Sequence, residues 1–195
     1  MRPPATEDWL SPFVDRFREA GIRVLDLGCG HGLDAAYLAE RGFEVVAYDR
    51  RDPGWEAGRQ SHVTYLRADV RYPPIRPASF DAALASLSLH YLPWSDTLAA
   101  FAAAAECVRA GGLFLFRVNA SDDYHHGAGE GEEIEPGFFH RPPVSGGWSA
   151  TKRFFTEADV RAALPGGLSI EHLAHRTIRR YAQPKQTWEC LARRA

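Results

Sequence analysis

Val24-Leu25-Asp26-Leu27-Gly28-Cys29-Gly30-His31-Gly32 runs from an apolar strand, through an acid, into three glycines at alternate positions. A helix-like segment, 33–41, follows it, and then a second apolar strand, 45–48, that ends at Asp49. Alternate glycines let the backbone turn sharply and approach a ligand closely. The free N–H groups where the helix begins favour an anionic group. Strand, glycine loop, helix, strand and strand-end acid together spell a nucleotide-type site.

The spacing narrows the nucleotide. A hydride-transfer Rossmann loop uses Gly-x-Gly-x-x-Gly, with the third glycine packing helix on strand. Here the order is Gly-x-Gly-x-Gly, and position 33 is Leu. A carboxylate at Asp26 would repel a pyrophosphate but suits a ligand carrying an amine. Asp49, 21 residues after Gly28, stands where an acid accepts from both ribose hydroxyls. Such charge-assisted bonds contribute about 1.5–3 kcal/mol each. Asp69 follows a third strand, 64–67, and can accept from the exocyclic amine of an adenine. An amine, a carboxylate, a ribose and an adenine without phosphate are the parts of S-adenosylmethionine.

Further along the chain, Phe80 to Leu87 reads as a fourth strand and 113–118 as a fifth. An alanine-rich helix lies between them, 95–109, with Ser95 as its cap and Gly111-Gly112 as its stop. Near the start, Ser11-Pro12 reads as an N-cap with proline at the first helical position. Trp9, Phe13 and Phe17 recur at a spacing of four, so a first helix is expected at about 11–20. Alternating helices and almost continuously apolar strands indicate a parallel sheet covered on both faces. Thr156-Glu157-Ala158-Asp159 reads as a capping box opening a helix to Leu164. Two strands, 168–178 and 186–192, joined by a short connection, suit a hairpin, which makes the last strand antiparallel in an otherwise parallel sheet. The segment 119–150 holds six glycines and three prolines and shows no helical or strand period. Loops of that length inside a compact domain are usually functional lids or disordered segments.

In series, these motifs resemble the class I S-adenosylmethionine-dependent methyltransferases over essentially residues 20–195. The glycine run matches that family's first motif, Asp49 its ribose acid, and Ala68-Asp69-Val70 its adenine-contacting segment. Phe80-Asp81-Ala82-Ala83-Leu84, followed by Ser88-Leu89-His90-Tyr91-Leu92, matches its fourth-strand region beside the methionine moiety. The resemblance implies one α/β domain over 1–195, with a Rossmann-like, doubly wound, seven-stranded, mostly parallel sheet whose last strand is antiparallel. Its N-terminal helix lies at about 11–20 and its lid or substrate insertion at about 119–150. The implied cofactor is S-adenosyl-L-methionine. It is held by Asp26, Gly28, Cys29, Gly30 and Gly32 of the loop, by Asp49 and Arg50, by Asp69 and Val70, and by Ser86. Cys29 serves there as a small residue in a tight turn.

Methyl transfer from a sulfonium needs acceptor, methyl and sulfur in line and water excluded; proximity and orientation can supply about 7–11 kcal/mol of the barrier. A base is needed only where the acceptor is protonated at neutral pH. His90 and Tyr91, just past the fourth strand, are the candidate catalytic residues. The insertion carries Asp122, Asp123, Glu130, Glu132, Glu133 and Glu135 against Arg141, along with several aromatic and histidine side chains. Tyr124, His125, Trp148 and Arg180 are the candidate substrate residues. The plainer expectation is that Lys152, Arg153, Lys185 and their basic neighbours neutralise the acidic insertion and pin it. The adjacent pair His125-His126 has poor spacing for a metal and no Cys-x-x-Cys supports one, so no metal is expected.

The bulk properties exclude other classes. Hydrophobic residues are 45%, charged residues 25%, and the formal net charge is −2, which gives no electrostatic case for nucleic acid or a membrane surface. No apolar run reaches the roughly 18 residues of a membrane span. No Asn- or Asp-Pro-Pro-aromatic motif follows the fourth strand, which argues against nucleic-acid methylation. Residues 1–8 lack a signal-peptide core, so the cytoplasm is the expected location. Three scattered cysteines make no disulfide framework. The expected function is methyl transfer to a small-molecule acceptor. The alternatives are a detoxifying enzyme of the tellurite-resistance type, acting on a small inorganic or thiol acceptor, and a non-catalytic S-adenosylmethionine-binding module. A nicotinamide-dependent oxidoreductase is disfavoured by the glycine spacing.

Overall fold

Strands that are apolar at successive positions can be buried only in a sheet covered on both faces. The computed structural model, which describes residues 9–52, 62–141, 150–179 and 181–195, has that arrangement. Its first five strands are β1 (Arg23–Leu27), β2 (Glu44–Asp49), β3 (Val63–Arg67), β4 (Phe80–Ser86) and β5 (Val108–Asn119). Between β5 and the C-terminal pair come three short strands, β6 (Glu132–Glu135), β7 (Phe138–His140) and β8 (Thr151–Arg153). The pair itself is β9 (Leu168–Ile178) and β10 (Lys185–Arg194). Seven strands make the main sheet in the order β3-β2-β1-β4-β5-β10-β9. All pairs from β3 to β5 are parallel, and β10 runs antiparallel to both of its neighbours, as the short hairpin connection demands.

Helices α1 (Val14–Ala20) and α2 (Leu33–Ala39) cover one face, where Phe17, Leu38 and Phe43 pack on Val24, Leu84 and Leu115. Helices α3 (Trp94–Cys107) and α4 (Glu157–Ala163) cover the other, around Phe101, Phe114, Phe116 and Phe155. The expected capping box opens α4: Asp159 N donates to Thr156 Oγ1 at 3.2 Å and Thr156 N donates to Asp159 Oδ2 at 2.8 Å.

Three local expectations change. Ser11 does not cap a helix; Ser11–Phe13 is a 3₁₀ turn that runs straight into α1. Helix α3 starts at Trp94 after Pro93, and no side chain caps it, Ser95 included. Gly111 and Gly112 do not stop that helix but lie within β5, where Phe80 pairs with Val108 and Ala82 with Leu113. The residues between bulge out, and Arg109 Nε secures the bulge to Asp81 Oδ1 at 2.7 Å.

The largest correction concerns the insertion. The described part of 119–150 contains a 3₁₀ turn, Tyr124–His126, and two strands that join β8 in an antiparallel sheet of order β6-β7-β8. Arg153 fastens this sheet to the core. Its buried guanidinium pairs with Glu135, donates to Pro136 O at 3.0 Å and to Leu92 O at 3.3 Å, and lies over the rings of Trp94 and Phe138. The same Glu135 carboxylate accepts from Trp94 N at 2.5 Å. Three of the other five acids have basic partners: Asp122 has His175, Asp123 has Lys185 and Glu130 has Arg141. The basic residues do pin the acidic insertion, and they make it part of a wall.

Candidate functional site

The C-terminal ends of β1, β2 and β4 come together at the glycine loop. Tyr48 O accepts from both Gly28 N, at 2.8 Å, and Cys29 N, at 3.0 Å, so the loop is tied to β2 as it leaves β1. Gly28 has φ +67°, and a Cβ there would collide with Ser88, whose Oγ donates to Leu27 O at 2.7 Å. Gly30 has φ +52° and open space where its Cβ would be. These two glycines are required for different reasons, one by crowding and one by conformation.

The loop forms one end of a cleft of about 490 Å³. Eight of the expected cofactor residues line it: Gly28, Cys29, Gly30, Asp49, Arg50, Asp69, Val70 and Ser86. Asp49 Oδ2 accepts from Gly30 N and its Oδ1 from Arg51 N, each at 3.0 Å. Each oxygen keeps a further acceptor site, enough for two hydroxyls. Asp69 is more heavily engaged than its expected adenine role requires. Arg71 donates to it from N, Nε and Nη2 at 2.9–3.0 Å and reaches Asp96 at 2.9 Å. Those bonds to Arg71 hold the Asp69 carboxyl below the ordinary range, and one acceptor site on Oδ2 stays open.

Asp26 and Gly32 do not line the cleft. Gly32 (φ +72°) instead serves as the residue before α2. Asp26 is 1% exposed, inside β1. Burial, and then the charges of Asp34 and Asp49, push its carboxyl well above the ordinary range, and its Oδ2 has no hydrogen-bond partner.

Beyond Ser88, which abuts Gly28, the cleft is lined by Leu87, Tyr91, Leu92, Thr151 and Tyr181. Tyr91 is where the sequence places it. His90 is not: its ring is 2% exposed, stacks at 4.3 Å on Tyr91 and does not line the cleft. The 3₁₀ turn Leu89–Tyr91 points successive side chains in different directions, so the two neighbours separate. Burial, then the charges of Lys185 and Lys152, hold the His90 imidazole well below its ordinary pKa, which makes it a weak base. Tyr124 (68% exposed) and His125 lie on the outward side of their turn, away from the cleft. Trp148 and Arg180 fall outside the described residues. Tyr181, beside the candidate Arg180, is expected at this edge from the sequence, since it follows a strand parallel to those that end at the site, and it lines the cleft. Thr151 was not among the sequence candidates and could not have been, because β8 has no recognisable pattern. Among the described residues, no group of three or more His, Cys, Asp or Glu side chains is placed to hold a metal, and no helix is long and apolar enough to cross a membrane.

Residues 24–112, which carry the glycine loop, both strand-end acids and β4, match the family described as a methyltransferase domain. Over these residues the chain matches a methyltransferase domain, and its glycine loop and strand-end acids resemble those of the class I S-adenosylmethionine-dependent methyltransferases. The chain is 31% identical over 153 residues to the malonyl-[acyl-carrier protein] O-methyltransferase of Geobacter sulfurreducens, a match covering 73% of this chain and 53% of the relative. It is 35% identical over 103 residues to the fatty-acid O-methyltransferase of Mycolicibacterium smegmatis, covering 49% of this chain and 36% of the relative. It therefore spans between a third and about half the length of these relatives. In fold it resembles an S-adenosylmethionine-dependent methyltransferase from Methanosarcina mazei, with a TM-score of 0.78 at 17% identity over 94% of this chain and 97% of that one.

The residues fit the family's cofactor, S-adenosylmethionine. Asp26, although off the cleft, keeps a buried Oδ2 without a hydrogen-bond partner. The open face of Gly30 leaves room beside Asp49 for a ribose.

Proposed function

We propose that this protein transfers a methyl group from S-adenosylmethionine to a small-molecule acceptor by in-line displacement, as one domain over 1–195 with 119–150 as its acceptor-side insertion. One observation carries the reading. A single cleft runs from the glycine loop, past Ser86 and Tyr91, to Thr151 and Tyr181, and so has room for a second reactant beyond the cofactor's cradle. The cofactor, when bound, supplies an electrophilic methyl group on a sulfonium. Asp49 takes the ribose hydroxyls, Asp69 and Val70 border the adenine, and Asp26 accepts from the amino group. Leu87, Leu92 and Tyr91 exclude water where the acceptor approaches, which strengthens the electrostatic interactions inside. Relatives named for O-methylation of a fatty acid and of malonyl-[acyl-carrier protein] support an oxygen acceptor. The formal net charge of −2 supports a partner that is neither nucleic acid nor membrane.

Calorimetry with S-adenosylmethionine tests the cofactor half. Asp49→Ala should weaken binding at least tenfold, given about 1.5–3 kcal/mol for each bond lost. Unchanged affinity would remove the ribose assignment. Methyl-labelled cofactor with a small-molecule cell extract tests the other half. Label should enter the low-molecular-weight fraction, and cofactor binding without that transfer would leave a binding module.

A further inference from the structure

Ser86, the last residue of β4, lines the cleft, and its hydroxyl has hydrogen-bonding capacity left over. Its Oγ accepts from Arg117 Nη2 at 2.8 Å. A hydroxyl also carries one proton to donate. Among the described residues, no acceptor takes that proton. The backbone is fixed at this point. Leu87 follows with φ +55°, a left-handed conformation that a leucine rarely adopts, and its N–H donates to Arg117 O at 2.9 Å. Conformations of that kind gather at ligand sites.

Arg117 does not line the cleft; it stands behind Ser86. Strands β4 and β5 pair Ser86 with Arg117, so both side chains leave the sheet on the face that α1 and α2 cover, as Leu84 and Leu115 do two residues earlier. The guanidinium is 2% exposed and stays charged throughout the ordinary pH range. Its Cζ lies 3.8 Å from the ring centroid of Trp9, whose Nε1 donates to Asp34 Oδ1 at 3.1 Å. A hydroxyl that accepts from a charged donor is polarised by it and donates more strongly in turn. Behind Ser86, then, is a positive charge, and in front of it a proton without an acceptor, which together suit an anion.

Position says which anion. Strands β1 and β4 run parallel with Asp26 beside Leu84, which sets Ser86 level with Gly28, at the glycine-loop end of the cleft. Asp34, from the first turn of α2, lines the same end. An acid on the helix side and a charge-backed donor on the β4 side match the ammonium and the carboxylate of an α-amino acid.

We propose that Arg117 is a positioning residue, which holds and polarises the Ser86 hydroxyl as the donor to the carboxylate of the cofactor's amino-acid end. This rests on the proposed binding of S-adenosylmethionine. Calorimetry tests it without turnover, with S-adenosylhomocysteine and with decarboxylated S-adenosylhomocysteine, which keeps the amine, the thioether and the adenosine. The wild type should bind the first at least ten times more tightly, as loss of a charge-assisted bond implies. Ser86→Ala should bring that ratio within threefold and leave the affinity for the decarboxylated compound within twofold. Arg117→Met should bring the ratio within threefold as well, whereas an arginine with a merely structural role would weaken both ligands alike and keep the ratio. Where Arg117→Met does not fold, Ser86→Ala, which leaves the buried arginine in place, decides. Equal binding of the two ligands by the wild type, or a ratio above threefold in either folded variant, would overturn the proposal. Failure of S-adenosylhomocysteine itself to bind would instead overturn the cofactor reading beneath it.

Discussion

The glycine-loop end of the cleft is made by backbone, and the far end by side chains. At the loop, Tyr48 O fixes two successive N–H groups and Gly30 N holds Asp49, all from segments within 25 residues of each other. At the far end, Tyr91, Leu92, Thr151 and Tyr181 meet from three regions of the chain, and one buried guanidinium, that of Arg153, joins two of them. A cradle of backbone admits few substitutions and recognises one ligand. A wall of side chains can change its residues, and so its ligand, while the sheet beneath it stays the same.

Substitutions at each end can break that contrast. The largest effect is expected from Gly28→Val, which puts a branched side chain at φ +67° and against Ser88. Affinity for S-adenosylhomocysteine by calorimetry should fall at least a hundredfold, or about 2.7 kcal/mol. A variant that binds normally would show that the loop is less constrained than its geometry states. Next comes Arg153→Met. It strips Glu135 of its partner and the insertion of its fastening, at a cost of about 2 kcal/mol in chemical denaturation, below the range for a fully buried pair because Glu135 is 33% exposed. Affinity of the folded variant for S-adenosylhomocysteine should stay within twofold. A large loss there would mean that the two ends are not independent.

The smallest effect concerns His90. Its imidazole stays neutral in the folded protein below the ordinary value of 6.5, where the unfolded chain takes up a proton. The unfolded state then binds more protons, so stability falls as the pH drops below about 6.5, by at most about 1.4 kcal/mol per pH unit. Denaturation of His90→Phe between pH 7 and pH 5 should show a shallower decline than the wild type. Equal slopes would assign the acid sensitivity to other groups.

The same contrast explains what the sequence made legible. The first five strands, the antiparallel last strand and eight of the residues that line the cleft follow from local signals: apolar runs, glycine spacing, strand-end acids and a short hairpin connection. Asp26 was read as an amine partner from its charge alone, and the structure buries it inside β1, off the cleft. The acceptor wall carried no such signal. Strand β6 is Glu-Glu-Ile-Glu and β7 only three residues, with no period of two to detect. They pair because Phe138 is buried beneath Arg153, a contact between residues 15 positions apart. His90 and Tyr91 were indistinguishable as candidates, since a 3₁₀ turn decides which of two neighbours faces the ligand.

The position of β10 has a consequence for how the chain is made. It follows β9 in sequence but lies between β9 and β5, pairing Thr187 with Asn119 across 68 residues. During synthesis the strands of the glycine-loop end, β1 to β4, have all been made by residue 86 and emerge well before β10. The hairpin that brings Tyr181 and Lys185 can dock only after β10 has also emerged, and non-local pairing of this kind is slow. The nascent chain should therefore acquire its cofactor cradle before it has anywhere to put an acceptor.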